Sequence, residues 1–416
     1  MLSSLKYRSG SFLLCIVFAL YAAYLVTALT LPEIEKPIAG LLMLVGWVGL
    51  YRLKNHFYRL GSTEKYVLYS FALFTVISII SFLVMPKSRV GQMHLEDYGV
   101  FLMIIPLYLL LRQFRINLTV FLLVISVVLI GLGVQSYLSI STRPSGGVNA
   151  MRFANVTLIM SFFLMVAFVV LKSPTKRAKS MLVLASCFGL FACLMAQSRG
   201  ALLSIPVLVF AYSIYLYRKG DSRIFLMVIL LGLVSLAFLS QQSRVQKTFS
   251  SVEEYFEGDS RSALGARFDM FKAAFILIKE KPVFGHGLGS YPVEASKIRV
   301  RIPSMNYEVG LWNNPHNEIL LVMVEKGVIG LVTLVLVFWA PAYFFWQALR
   351  RSSRFKNNAV IKFYSVSGLG LLLVYMVAGQ SVALFEHDVF NHFYILMVIL
   401  FVSQIRAHEH YSGLGK

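Results

Sequence analysis

The chain has 416 residues, is 58% hydrophobic and only 14% charged, and has a mean hydropathy of +0.72. That balance excludes a soluble domain and describes a membrane protein that crosses many times. A formal charge of +20 would suit nucleic acid, but it is spread over alternate loops, and Cys15, Cys187 and Cys193 all lie in apolar runs, which excludes a disulfide framework or a cysteine metal site.

Apolar runs predict twelve spans, at about 11–31, 37–51, 66–85, 98–111, 117–138, 153–171, 180–196, 200–217, 223–240, 316–340, 361–385 and 389–405. The first has Lys6 and Arg8 before it and V-T-A at 26–28, the outline of a signal sequence. Its length and the spans that follow make it an uncleaved helix. Lys and Arg recur at the N-terminus, in every second loop (Arg52 to Lys65, Arg112 and Arg115, Lys172 to Lys179, Arg218 to Arg223, Arg350 to Lys362) and in the tail. They are opposed there only by Glu64, Asp221 and Glu409. This alternation puts both termini in the cytoplasm, makes the positive charge a topology signal, and leaves lipid headgroups as incidental partners. The expected fold class is an all-α polytopic membrane protein: residues 1–240 hold helices one to nine, 241–315 form a long, partly helical outer loop, and 316–416 hold the last three helices and the tail.

The long loop escapes the charge rule and is where an extracytoplasmic site would be built. Within it, 262–281 reads as a helix with an apolar stripe of Leu264, Phe268, Phe271, Phe275 and Ile278, ended by Lys281-Pro282. Arg267 lies at the edge of that stripe. Residues 283–291, V-F-G-H-G-L-G-S-Y, read as a tight Gly-rich loop, too unspecific to be called phosphate binding. In N-N-P-H-N-E-I-L-L at 313–321, two Asn can cap a helix and Pro315 suits its first turn, which puts His316 at a helix N-terminus, where an anion is favoured. The alternative is an ordinary interfacial His on a capped span.

Arg199, in A-Q-S-R-G between two apolar runs, is a guanidinium at the membrane edge that calls for an anionic partner, or one that reaches lipid headgroups. Two arginines, Arg199 and Arg267, with one His suit a diphosphate leaving group. Arg gives bidentate, permanent charge, and His can take a proton from a hydroxyl near neutral pH. Four further sets are weaker. Glu33-Ile34-Glu35 is similar to the acidic metal motif of some membrane glycosyltransferases but also suits a solvated loop. Glu386, His387, Asp388 and His392 cluster in the last outer loop. Arg143 and Arg152 flank S-G-G-V-N as candidate substrate contacts, and Glu325 and Lys326 are ionisable residues inside a span. No nucleic-acid module is present.

Three motifs carry a resemblance. P-H-N-E-I-L-L-V-M-V-E-K-G-V-I-G-L at 315–331 resembles the H-N-x-x-L…E-x-G-x-x-G-L signature of the O-antigen ligase and polymerase superfamily. The segment 267–291 resembles its R…P-x-x-G-x-G loop, and Ser198-Arg199-Gly200 its S-R-G-A junction. His286 inside the Gly-rich loop departs from the pattern and is given no catalytic role. Twelve spans with a long loop after the ninth resemble the ligase branch.

The resemblance implies an inverting, metal-independent glycosyltransferase of GT-C-like fold, without cofactor, in the bacterial inner membrane with its site on the periplasmic side. The implied donor is an undecaprenyl-diphosphate-linked glycan and the implied acceptor a sugar hydroxyl of lipid A–core. Arg199 and Arg267 would hold the diphosphate, His316 would activate or orient the acceptor, and Asn317 would be a further substrate contact. O-antigen polymerase and protein O-oligosaccharyltransferase remain alternatives within the superfamily, and a transporter or flippase is the alternative of another class.

Overall fold

The computed structural model describes residues 2–53, 59–84, 88–139, 144–171, 175–217, 260–352 and 359–411, with a few isolated positions between 226 and 257. All regular structure among them is helical. In chain order the helices are α1 (Leu2–Thr30), α2 (Pro32–Leu53), α3 (Ser62–Val84), α4 (Arg89–Met103), α5 (Ile105–Leu111), α6 (Leu118–Leu138) and α7 (Ala150–Val170). They continue with α8 (Lys176–Met195), α9 (Arg199–Tyr217), α10 (Ala263–Glu280), α11 (Tyr291–Arg301), α12 (Glu318–Ser352), α13 (Ala359–Ala378) and α14 (Asp388–Tyr411). Among the described residues, nine candidate spans are long and apolar enough to cross a membrane, and Cys15–Thr30 and Gly200–Leu216 are shorter apolar helices. The protein is a multi-pass, all-α membrane protein. The expected ninth span, 223–240, lies almost wholly outside the described residues.

The bundle is built around α14, in which every residue from 389 to 405 is buried. The second shell includes α7, mostly buried, while α12 turns Val328, Val332, Val335, Trp339 and Trp346 outward at helical spacing. In a bilayer that stripe faces acyl chains, and association rests on close packing rather than on escape from water. Below the outer loops the packing is aromatic. Phe71 meets Phe101 edge-on at 5.1 Å, Phe101 meets Phe385 at 5.1 Å, and Phe385 packs on Tyr394 at 5.3 Å. Such pairs add about 0.5–1.5 kcal/mol each beyond burial and give the site above them a stiff floor.

Three span boundaries differ from expectation. The fourth begins at Arg89, nine residues before expected, because Ser88 caps it by accepting from Gly91 N–H, His94 is buried in protein, and the Asp97 carbonyl accepts from Asn391 Nδ2. The eleventh ends at Ala378, seven residues early. Residues 379–387 are a turn-rich loop, although V-A-L-F within it is apolar. The tenth begins at Glu318 and runs to Ser352, with one non-helical residue inside it, Gly327 (φ 60°, ψ −157°). The break divides α12 into a short outer piece, 318–326, and a longer one, 328–352, which at about 37 Å still crosses a bilayer.

A break at membrane depth frees carbonyls on one side and N–H groups on the other, and each must find a partner. The Gly-rich loop supplies them. His286 N–H donates to Val324 O at 2.7 Å and Gly287 N–H to Glu325 O at 2.9 Å, while Val328 N–H donates to Pro282 O at 2.9 Å. Two glycines make this possible. Gly285 (φ 69°) would put a Cβ 2.4 Å from the Glu325 carbonyl carbon, and Gly327 would put one 2.2 Å from Val283 O. The P-x-x-G-x-G and E-x-G motifs are thus the two halves of one backbone joint.

The helix expected at 262–281 is α10, capped by Ser262, which accepts from Gly265 N–H. Its buried face is not the expected stripe. Ala266, Met270, Ala273, Ala274 and Leu277 are buried, whereas Phe275 is 55% exposed and Leu264, Phe268, Phe271 and Ile278 are only half-buried. Small residues let α10 lie close on α11 and on the outer piece of α12, and all three share a core with Tyr291, Ile298, Leu320, Leu321 and Val324.

Candidate active site

Asn314 and Asn317 shape the segment that presents His316. The helix expected to include Pro315 and His316 starts two residues after His316, and Asn317 is its cap: its Oδ1 accepts from Leu320 N–H at 3.0 Å. Its Nδ2 donates to Gln380 O at 3.3 Å. Asn317, expected as a substrate contact, therefore spends its side chain on structure. His316 sits just outside the helix with φ 55°, a left-handed conformation that costs a non-glycine residue about 1–2 kcal/mol. Asn314 Oδ1, accepting from His316 N–H at 2.8 Å, offsets that cost.

The ring of His316 lies 6.0 Å from that of Trp312, centroid to centroid, and makes no hydrogen bond among the described residues. Burial, and then the charge of Arg267, push its pKa down to about 4, with Glu308 opposing. At neutral pH it is an uncharged imidazole with a free lone pair, suited to accept a proton. Arg199 opens α9, and its neighbour Gly200 packs against Ser381, which brings that helix start to the 379–387 loop. The side chain of Arg199 and the whole of Arg143 lie outside the described residues.

The 379–387 loop is the other wall. Glu318 N–H donates to Gly379 O at 2.9 Å, and Glu318 Oε2 accepts from Leu384 N–H at 2.6 Å. Arg152, expected as a substrate contact, reaches this loop: its Nη2 donates to His387 Nδ1 at 2.8 Å. Burial, and then Arg152, push the His387 pKa down to about 3, so its ring is neutral and its Nε2 carries the proton. Lys36 pairs with Asp388 at 2.8 Å, and His392 Nδ1 meets Glu35 Oε1 at 2.8 Å. Glu33 is exposed while Glu35 is buried, so the expected acidic pair is not presented together. Among the described residues, no three His, Cys, Asp or Glu side chains are grouped to hold a metal ion.

Two residues expected only as intramembrane charges belong to the same region. Lys326 donates to Ser78 Oγ at 3.1 Å and sits over the rings of Phe74 and Tyr98 at 4.1 and 4.0 Å. Glu325 Oε1 accepts from Gly289 N–H at 2.8 Å and from His94 Nδ1 at 3.1 Å. His94 was not expected at all. Its clearest signal was H-L-E-D at 94–97, a polar run in an apolar stretch with the period of a helix.

The end of the bundle thus holds two uncharged His, His316 with Arg267 acting on it and His387 with Arg152, and a floor of paired carboxylates. Between α12 and α13 an apolar groove of about 330 Å³ opens to the side, with Glu318 and Gln380 among its polar lining and Leu331, Val335, Phe338 and Trp339 among its apolar lining.

Comparison with known proteins bears on this region. A protein of Haemophilus influenzae described only as an uncharacterized protein is 24% identical over 404 residues, covering 92% of this chain and 96% of the relative. A family model described as O-antigen ligase matches residues 182–335, which contain Arg199, Arg267, the Gly-rich loop, His316 and the break in α12. Over those residues this chain is similar to the O-antigen ligase family.

Proposed function

We propose that the protein transfers a preassembled glycan from undecaprenyl diphosphate to a sugar hydroxyl of lipid A–core, on the periplasmic side of the bacterial inner membrane. The observation that carries this reading is the uncharged ring of His316 beside the charge of Arg267, at the mouth of a membrane bundle. The acceptor oxygen attacks the anomeric carbon from the face opposite the diphosphate. The carbon–oxygen bond to phosphate breaks, undecaprenyl diphosphate leaves, and the hydroxyl proton passes to His316. The configuration inverts. Arg267, with Arg199 from the start of α9, takes the charge that grows on the leaving group. The groove between α12 and α13 suits the polyprenyl chain, since it is apolar, opens sideways and begins near the His316 segment.

The test uses purified protein in nanodiscs with the lipid-linked glycan, lipid A–core and EDTA. Wild type should form glycan-capped lipid A–core, and His316→Ala should not. A strict requirement for a divalent metal would contradict the charge assignment to the arginines. Product formed only when a second lipid-linked glycan replaces lipid A–core would make the enzyme a polymerase of the same family.

A further inference from the structure

His94 stands between two buried carboxylates. Its Nδ1 is 3.1 Å from Glu325 Oε1 and its Nε2 is 2.9 Å from Glu386 Oε1, the second a charge contact rather than an aligned hydrogen bond. All three side chains are at most 4% exposed. A neutral ring would set a lone pair against one of the two carboxylates, so the arrangement calls for the imidazolium. Glu386 has a second use: its Oε2 accepts from Asn314 Nδ2 at 2.6 Å. Asn314 then turns its Oδ1 to His316 N–H at 2.8 Å. A continuous chain runs from the break in α12, through α4 and the 379–387 loop, to the backbone that holds His316 in its left-handed conformation.

We propose that Glu386 and Asn314, anchored by His94 and Glu325, are positioning residues that fix His316 for proton transfer. The inference rests on the glycosyltransferase reading of His316. The position demands an anchor: a residue at φ 55° reverts to a commoner conformation unless its surroundings hold it. The amide of Asn314 is the only described group that holds the His316 N–H, and Glu386 is the only described group that orients that amide. A carboxylate serves there because one oxygen lies against the charged ring of His94 and the other accepts from the amide. A loop tied in this way delivers its His within the tolerance that proton transfer needs, where a displacement of about 1 Å can cost about 100-fold.

The polarity of the chain gives a sharp test. Glu386→Gln sets an amide NH2 against the Asn314 NH2, or else against His94. Asn314→Asp sets a carboxylate against Glu386. The double variant restores a donor–acceptor match at each contact, with the Gln oxygen toward His94 and its amide toward the new carboxylate, which still accepts from His316 N–H. In the full-length protein in nanodiscs, each single variant should lower kcat about 10- to 100-fold. KM for donor and acceptor should stay within about two-fold. The double variant should recover to within about five-fold of wild type.

Hydrogen exchange of the peptide covering 311–317 gives a second readout that needs no turnover: faster in each single variant, restored in the double. A double variant no better than the poorer single one, or single variants whose loss lies in KM alone, overturns the proposal. Exchange that follows the predicted pattern while wild type transfers no glycan keeps the positioning chain and removes the assigned activity instead.

Discussion

At the end of the bundle away from His316, Arg112 and Arg406 share Glu64 at 3.1 and 3.3 Å, and Arg351 and Arg406 share Glu409 at 3.0 and 2.6 Å. At the His316 end, imidazoles stand among the carboxylates: His94 with Glu325 and Glu386 and His392 with Glu35, while the neutral ring of His387 lies against Arg152. Both ends bury charge, but with different consequences. A guanidinium keeps its proton at any accessible pH and binds carboxylate oxygens in a fixed fork, so the first end is a lock. An imidazole takes its charge from the groups around it, so the charge at the second end is set by its surroundings, ring by ring. The family match covers residues 182–335, which include Arg267 and His316 but none of the lock's charged groups.

The comparison breaks if the two ends respond alike to substitution. The largest effect is expected for His316→Ala, a loss of transfer of about 10²–10⁴-fold with unchanged yield of folded protein. Transfer by purified protein checks the first part and gel filtration the second. At the lock, Arg112→Met removes one of the two guanidiniums on the buried carboxylate of Glu64, which keeps Arg406, and should destabilise the fold by about 1.5–3 kcal/mol. Its kcat, measured on the surviving folded fraction below its lowered unfolding temperature, should equal that of wild type. A lowered kcat there would mean that the two ends are coupled.

Gly327→Ala should act between the ends. Its Cβ would meet Val283 O at 2.2 Å, and the positive φ adds about 1–2 kcal/mol of strain, so thermal stability and protease resistance of 260–315 should fall together. A finer test is the acid limb of kcat/KM. With His316 pushed down to about 4, the base is deprotonated above that value, and activity should hold as pH falls to about 5 and then drop through about 4. Arg267→Gln removes one of the two causes and should move that limb upward, toward 6.5. The smallest effect is expected for Glu33→Gln, since that exposed carboxylate pairs with nothing described: wild-type rates with and without EDTA.

Apolar runs made most helices legible, because a stretch that must face acyl chains has few polar residues to confuse it. The errors fall where a residue's partner is distant. His94 and Asp97 read as loop because nothing nearby in sequence says that Glu325, Glu386 and Asn391 will meet that turn of helix. Leu384 and Phe385 read as helix because they are apolar, yet their N–H groups go to Glu318. The aromatic residues of α10 looked like its core face, but the close approach of α11 and α12 selected its alanines. His316 and Arg267 were singled out through residue chemistry and motif resemblance. That burial, and then the Arg267 charge, lower the His316 pKa needed coordinates. The Gly-rich loop was visible as a loop, but its partner, the break at Gly327, was hidden in an unbroken apolar run.

That break also constrains how the chain is made. The loop that satisfies it, 282–289, precedes Gly327 in sequence and therefore leaves the ribosome first. When 318–352 enters the bilayer, its capping loop has already been synthesised. A circular permutant that began between 290 and 317 would reverse this order and present the helix to lipid before its cap existed. It should insert poorly even if its finished structure were identical.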